Sequence, residues 1–191
     1  MSLRALIVDD HPIIRDALVS SLVALNVFDH VETLESFQEL LERLQRDATY
    51  RLLILDLSLA DISGSQGVVY VREEYPDIPI MVFSASDSPE IIAQCFELGV
   101  QGFVSKVTPM QIFVNAIRVV LAGGIYIPPA AAQVLGIAPT NMAEANLEPA
   151  EERVHLAEGT VKAHLHSIYQ LLRVHNRAQA ILRARELQLI D

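Results

Sequence analysis

Five short apolar runs alternate with five segments of helical spacing along residues 1–127, and this alternation constrains the fold more than any other feature. Each run has the length of a strand, and all except VFDHVETL, which is a poorer and more polar strand, fit burial on both faces. The runs are LRALIVDD, VFDHVETL, LLILD, IPIMVFSA and GFVSK. The helical segments cover 12–25, 36–45, 66–75, 88–98 and 108–122. Consecutive β–α units predict a doubly wound parallel sheet, because each right-handed crossover brings the chain back to the sheet.

Composition and charge divide the chain into three parts. Residues 1–127 carry 17 acidic and 8 basic side chains and form the predicted α/β domain. Residues 128–146 are rich in Ala and Pro, which is typical of a linker. In the predicted small helical domain, 147–191, residues 155–191 carry 3 acidic and 5 basic side chains and four of the six histidines. This mildly basic tail favours a polyanionic partner.

The bulk properties exclude several classes of protein. A hydrophobic fraction of 51% and a mean hydropathy of +0.32 exclude wholesale disorder. Neither a membrane span nor a signal peptide is visible in the sequence, so we expect a soluble cytoplasmic protein without a membrane partner. Cys95 is the single cysteine, which excludes an internal disulfide and fits a reducing compartment.

Charged and hydroxyl side chains stand at the ends of four predicted strands. Strand one ends at Asp9 and Asp10, strand three at Asp56, strand four at Ser84 and strand five at Lys106. Ligands of doubly wound sheets bind beyond the carboxyl ends of the strands, so these five side chains should lie together.

Crowded carboxylates are tolerable when a cation lies among them, and Mg²⁺ binds through one or two carboxylates while keeping positions for phosphate oxygens. With Asp10 and Asp56 on the metal, Asp56 keeps an oxygen that can attack phosphorus. Lys106 would neutralise the phosphoryl charge, and Ser84 could donate a hydrogen bond to it. A lone aspartate at a strand end is usually a turn or cap residue, but the conjunction predicts that Asp56 accepts phosphate.

Residues 1–127 resemble the receiver domain of a two-component response regulator. The resemblance lies in the motifs IVDDHP, LDLSL, FSAS and GFVSKVTP. It implies a flavodoxin-like sheet in the order 2-1-3-4-5, with Mg²⁺ held by Asp9, Asp10, Asp56 and the backbone carbonyl of Ser58. It also implies that Ser84 and Lys106 bind the phosphoryl group.

The resemblance implies that a sensor histidine kinase or a small phosphodonor phosphorylates Asp56. The domain would catalyse only its own phosphorylation and dephosphorylation, so it is not expected to be a metabolic enzyme. Phe103 occupies the position of the family's rotating aromatic switch residue, although a plain core phenylalanine is an equally good interpretation. Ala60 and Asp61 depart from the family pattern after the acceptor, and we expect this to alter loop stiffness more than chemistry.

The tail contains an apolar helical stripe, formed by Val161, Leu165, Ile168 and Leu172. By pattern alone this could be any surface helix. The string EGTVKAHLHSIYQLLRVHNRAQAILRARELQLI, however, resembles the second half of the LuxR-type helix-turn-helix domain of NarL/FixJ-type regulators. The resemblance implies recognition of double-stranded DNA and a homodimer in the active state. The implied DNA contacts are Thr160, Lys162, Ala163 and His166.

This resemblance has a gap. LEPAEERV runs directly into HLAEGTVK at residues 154 and 155, where the family has roughly seventeen further residues. In helix-turn-helix docking, those residues belong to the part that crosses the DNA backbone. Either the protein contains these residues and this sequence omits them, or the gene product lacks them and binds operator DNA poorly.

Three functions follow from these patterns. The first is a transcription factor whose dimerisation and DNA binding are controlled by phosphorylation. The second is a receiver that acts through protein contacts alone. The third, an aspartate-nucleophile phosphohydrolase, is disfavoured because such enzymes need a second acid two residues after the nucleophile, where this chain has Ser58.

Overall fold

A parallel sheet of five strands separates two layers of helices in the computed structural model, which describes residues 3–132 of the chain. The sheet strands are β1 (Arg4–Val8), β2 (His30–Leu34), β3 (Leu52–Leu55), β6 (Ile80–Ser84) and β7 (Gly102–Ser105). Their order, β2-β1-β3-β6-β7, confirms the predicted order 2-1-3-4-5. The pairing places Val8 opposite Leu55, so the residues that follow these two strands are neighbours at the carboxyl edge.

Helices follow the strands as the sequence predicts. They are α1 (Pro12–Ala24), α2 (Phe37–Arg46), α3 (Gln66–Glu74), α4 (Pro89–Glu97) and α5 (Met110–Leu121). Proline lies in the first turn of α1 and α4, where its missing N–H has no intrahelical partner. Gly99, which directly follows the predicted helical segment 88–98, has φ 88°, a left-handed conformation that favours glycine at the end of a helix. No helix within residues 3–132 is long and apolar enough to cross a membrane.

The two faces of the sheet carry separate apolar cores. Along β1, Leu6 and Val8 face one core while Ala5 and Ile7 face the other, which is the alternation of a strand covered on both sides. The first core includes buried residues of α2, α3 and α4, and the second includes buried residues of α1 and α5. Burial on both faces fixes the register of the central strands and therefore the positions of the residues at their ends.

Three short features are additional to the predicted ones. The loop after β3 contains a hairpin of β4 (Ser58–Leu59) and β5 (Ile62–Ser63). After α5 the chain returns along β7, where Tyr126 forms an isolated bridge with Gly102. A helical turn, α6 (Pro129–Ala132), then contacts α4, and it lies inside the range predicted as linker.

Candidate functional site

Two buried aspartates lie side by side at the carboxyl edge of the sheet. Asp9 follows β1 and is 1% exposed, and Asp56 follows β3 and is 2% exposed. Backbone hydrogen bonds continue the sheet to both residues, since Asp56 N donates to Val8 O at 3.0 Å and Asp9 N donates to Leu34 O at 3.2 Å. Burial of two carboxylates is costly unless a cation or hydrogen bonds compensate their charge.

Lys106 supplies a cation between these carboxylates. Its Nζ lies 2.7 Å from Asp56 Oδ2 and 2.7 Å from Asp9 Oδ2. The approach to Asp56 has hydrogen-bond geometry, whereas Asp9 Oδ2 has no donor of that geometry and interacts with Lys106 as a charge. Burial lowers the pKa of Lys106, but Asp56 and Asp9 outweigh burial and hold the pKa above its usual value. Lys106 is therefore a permanent ammonium group at neutral pH.

Asp10 and His11 complete a cluster of potential metal ligands with Asp9 and Asp56. One ligand atom from each of these four residues lies within 4.8 Å of the others. His11 Nδ1 is 2.6 Å from Asp10 Oδ1, and His11 N donates to Asp9 Oδ1 at 2.9 Å. Asp9 Oδ2 and Asp10 Oδ1 are buried and make no hydrogen bond of regular geometry, and their close contacts are the ionic ones to Lys106 and His11.

This donor set fits a hard divalent cation. Carboxylate oxygens are the ligands that Mg²⁺ prefers, and three carboxylates against one lysine leave net negative charge in the pocket. The acidic pocket could therefore hold Mg²⁺, which would give Asp9 Oδ2 and Asp10 Oδ1, the two buried oxygens without a hydrogen bond, a further positive partner.

The two predicted serines lie beside this cluster. Ser84 is fully buried at the end of β6, its Oγ accepts a hydrogen bond from Ser86 N at 3.1 Å, and its carbonyl accepts one from Lys106 N at 2.9 Å. Ser58 begins β4, and its backbone N–H donates to Asp56 Oδ1 at 3.2 Å. The predicted switch residue Phe103 is fully buried on β7, in the core that faces α4.

Sequence reasoning missed two residues that touch this edge. His11 directly follows the acid pair, so its position in the sequence was sufficient to include it. Arg15 is 8% exposed on the inner face of α1, and its Nη1 donates to the carbonyl of Asp9 at 2.7 Å. Spacing could have identified Arg15, because it shares a helical stripe with the buried residues Leu18 and Leu22.

The predicted DNA contacts and the junction at 154/155 lie outside the described residues. The DNA-contact predictions concern Thr160, Lys162, Ala163 and His166, and they stay predictions.

Comparison with known proteins decides the family. Residues 5–118 match the family described as response regulator receiver domain. This chain is a response regulator. Residues 150–184 match the family described as bacterial regulatory proteins, luxR family, so this response regulator carries both a receiver and a LuxR-type helix-turn-helix and is of the DNA-binding class.

Individual relatives agree with these matches. The glycerol metabolism activator of Pseudomonas putida is 29% identical over 211 residues, covering 95% of this chain and 94% of the relative. A LuxR family DNA-binding response regulator from Silicibacter pomeroyi has 28% identity and a TM-score of 0.58, covering 67% of this chain and 98% of that structure. The isolated REC domain of RcsB from Salmonella enterica serovar Typhimurium, in the presence of phosphomimetic BeF3−, has 23% identity and a TM-score of 0.65. It covers 70% of this chain and 99% of that structure, and at this identity it supports the fold alone.

The length of the first alignment bears on the predicted gap. The alignment spans 211 positions and this response regulator has 191 residues, so the activator has at least 20 residues at positions where this chain has none. The segment predicted to be absent at 154/155 would contribute to such a difference in length.

Proposed function

We propose that this response regulator is switched by phosphorylation of Asp56. The observation that carries the proposal is the placement of Lys106 Nζ at 2.7 Å from both Asp56 Oδ2 and Asp9 Oδ2, in a pocket that also holds the carboxylate of Asp10. A buried nucleophile beside a fixed ammonium group is suited to accept a group that brings its own negative charge. A sensor histidine kinase or a small phosphodonor would supply the phosphoryl group.

The transfer has simple chemistry. An oxygen of Asp56 forms a bond to phosphorus, and the bond between phosphorus and the donor's leaving atom breaks with its electron pair staying on that atom. Lys106 balances the charge on the phosphoryl oxygens, and Ser84 donates its hydroxyl to one of them. Hydrolysis of the acyl phosphate later returns Asp56, so the domain modifies only itself and is not a metabolic enzyme.

Mg²⁺ is the metal that this proposal assigns to the pocket. Asp9, Asp10 and Asp56 would hold it, together with the backbone carbonyl of Ser58. When bound, Mg²⁺ neutralises charge on the attacking carboxylate and on the incoming phosphoryl group. His11, which contacts Asp10 and Asp9, lies at the edge of this ligand set.

Labelling by a small phosphodonor tests the acceptor. With Mg²⁺, wild type should gain one phosphoryl group per chain, and Asp56→Asn should gain none. Asp77→Asn is a suitable control, because Asp77 is exposed and precedes β6 at the opposite edge of the sheet. Equal labelling of wild type and Asp56→Asn, or no labelling of wild type, would reject the proposal.

The output of the switch is assigned to residues 147–191, joined to the receiver (residues 1–127) by the linker 128–146. Phosphorylation would alter the face formed by α4 and α5 or by α1 and α5, with Phe103 as the switch residue. Two contacts support transmission of a structural change from Phe103 toward the linker. Phe103 N donates to Tyr126 O at 3.3 Å, and Ala131 is fully buried in the same core as Phe103.

Release or dimerisation of the C-terminal domain would then place two recognition helices in successive major grooves. The proposed DNA contacts are Thr160, Lys162, Ala163 and His166. We also assign the protein to the cytoplasm. Lys162→Ala should weaken DNA binding and reduce its salt dependence by about one phosphate contact. Unchanged affinity and an unchanged salt slope would remove Lys162 from the interface.

A receiver that works through protein contacts alone is the second candidate. The predicted gap at 154/155 favours it, because an incomplete helix-turn-helix would not brace its recognition helix. A DNA-binding assay on the intact gene product, with and without phosphorylation, separates the two candidates. Salt-sensitive binding that increases on phosphorylation supports the transcription factor, and no retention on DNA supports the interaction module.

A further inference from the structure

Asp61 lies in the turn between β4 and β5, five residues beyond Asp56, and its side chain reaches another loop. Asp61 Oδ1 accepts a hydrogen bond from Phe37 N at 3.0 Å, and Oδ2 accepts one from Gln38 N at 2.8 Å. Phe37 and Gln38 are the first two residues of α2. The acceptor loop and the start of α2 are therefore joined by one carboxylate.

The backbone N–H groups at the start of α2 find hydrogen-bond acceptors from two sources. The third N–H of the helix, from Glu39, donates to Ser36 Oγ at 3.2 Å, in the usual manner of an N-cap serine. The first two N–H groups depend instead on Asp61, whose negative charge also suits the positive end of the helix. Partial burial raises the pKa of Asp61, but the N–H groups of Phe37 and Gln38 outweigh it and the pKa lies below its usual value.

The loop between β2 and α2 also contacts the other half of the acidic edge. Glu35 Oε1 accepts a hydrogen bond from Arg15 Nη2 at 2.5 Å, and Arg15 Nη1 donates to the carbonyl of Asp9. Residues 35–38 are thus connected to Asp9 through Arg15 and to the acceptor hairpin through Asp61.

The hairpin that Asp61 anchors is short. Its strands β4 and β5 have two residues each and pair with each other rather than with the main sheet. Leu59 packs in the core, and Gly64 N donates to the carbonyl of Leu57 at 2.9 Å. Ser58, whose N–H contacts Asp56, is the first residue of this hairpin. A displacement of the hairpin would therefore be transmitted directly to the atoms around Asp56.

We propose that Asp61 is a positioning residue of the phosphorylation site, holding the acceptor hairpin against the start of α2 so that Asp56 and the Ser58 carbonyl keep the geometry that Mg²⁺ requires. The inference rests on the proposed function of Asp56. Asp61 would thus do more than alter loop stiffness, because its two hydrogen bonds to the start of α2 would affect metal binding.

Mg²⁺ affinity, measured by isothermal titration calorimetry on the full chain, is the readout that separates positioning from helix capping. Asp61→Ala should weaken Mg²⁺ binding by roughly tenfold, the low end of the effect expected for residues that orient metal ligands. Ser36→Ala is the matched control: it also removes a cap from α2, but it leaves the hairpin attached. It should lower Tm as Asp61→Ala does, and its Kd for Mg²⁺ should stay within about twofold of wild type, in keeping with the absence of a ligand-orienting role.

Asp61→Asn provides a second variant should the alanine protein fold poorly. It keeps one oxygen acceptor and loses the charge and the second acceptor, so its Kd should lie between those of wild type and Asp61→Ala. Equal Mg²⁺ affinities of wild type, Asp61→Asn and Asp61→Ala would overturn the positioning role, as would an equal weakening by Ser36→Ala.

If wild type labels on Asp56 while the Asp61 variants bind Mg²⁺ normally, this inference alone fails. If wild type neither binds Mg²⁺ nor labels, the proposed function fails and the inference fails with it.

Discussion

Strand β1 carries a cluster of charged side chains at each end, and the two clusters differ in how their charges are balanced. At its amino end, Arg4 contacts Glu32 at 2.5 Å and also contacts Asp47. At its carboxyl end, Asp9 shares Lys106 with Asp56. The two clusters occupy the same sheet, so their difference does not come from the fold.

The amino-end cluster is close to neutral and is internally satisfied. Two arginines, Arg4 and Arg43, face two carboxylates, Glu32 and Asp47, and Arg4 also lies over the Tyr50 ring at 4.5 Å from its centroid. Hydrogen bonding by Arg43 lowers the pKa of Glu32 to about 2 against the opposing effect of burial, and Arg4 adds to this lowering. This is the pattern of a cluster that stabilises the native state.

The carboxyl-end cluster has excess negative charge. Asp9 and Asp56 share Lys106, Asp10 adds a third carboxylate beside them, and two of the carboxylate oxygens make no hydrogen bond. Like charges held together without full compensation destabilise a fold, and such arrangements concentrate at functional sites. The number of charged side chains therefore does not identify a functional site, whereas an excess of one sign of charge does. The following predictions test that distinction.

The largest expected effect is that of Lys106→Ala. Removal of one partner from a buried ion pair leaves uncompensated charge, so the free energy of unfolding at neutral pH without metal should fall by about 3 kcal/mol. Saturating Mg²⁺ should restore part of the loss, because a bound cation replaces the ammonium group. Urea unfolding measures both, with Arg46→Ala, an exposed position on α2, as the control. A loss no greater than that of Arg46→Ala would show that the carboxyl-end cluster does not depend on its cation.

Glu32→Gln tests the balanced cluster through pH. Because the folded pKa of Glu32 is lowered from 4.5 to about 2, its stabilisation is complete above pH 4.5 and is lost as pH falls toward 2. The variant should therefore be less stable than wild type at neutral pH, by about 2 kcal/mol once the screening of this partly solvated cluster is taken into account. The difference should shrink across that acidic range. Glu73→Gln, on the exposed face of α3, should follow the wild-type pH profile. A Glu32→Gln profile that runs parallel to wild type at all pH values would contradict the interpretation.

Asp10→Asn and Asp47→Asn should have effects of opposite sign, which makes the pair the sharpest test of the contrast. Without Mg²⁺, Asp10→Asn relieves repulsion and should raise the free energy of unfolding by about 1 kcal/mol. Asp47→Asn removes a partner of Arg4 and should lower it. Thermal unfolding of both variants in metal-free buffer is sufficient. Destabilisation by both would mean that the two clusters do not differ in kind.

Much of the acidic edge could be predicted from the sequence, for a physical reason. Runs such as LLIL are buried on both faces, which fixes strand register, and parallel topology then brings Asp9, Asp56 and Lys106 to one edge. The features that escaped prediction depend on contacts without a local pattern. Strands of two residues have no periodicity to detect, and Asp61 meets Phe37 across 24 residues of sequence.

The amino-end cluster escaped prediction for a related reason. Its members come from β1, β2, α2 and the chain after α2, and each one taken alone is an ordinary surface residue. The polar run VFDHVETL predicted only a poorer strand, whereas the structure shows that Glu32 on this strand contacts Arg4 and Arg43. Complementary charges from distant segments become visible once the strand order is known.

Chemical mapping of the phosphorylated residue decides whether Asp56 is the phosphoacceptor. After reaction with a small phosphodonor and Mg²⁺, borohydride reduction converts an acyl phosphate on aspartate into homoserine, and mass spectrometry locates it in the tryptic peptide 52–72, which contains both Asp56 and Asp61. We predict homoserine at residue 56 and unchanged aspartate at residue 61. Homoserine elsewhere in the chain, or none in a protein that binds Mg²⁺, would contradict the account.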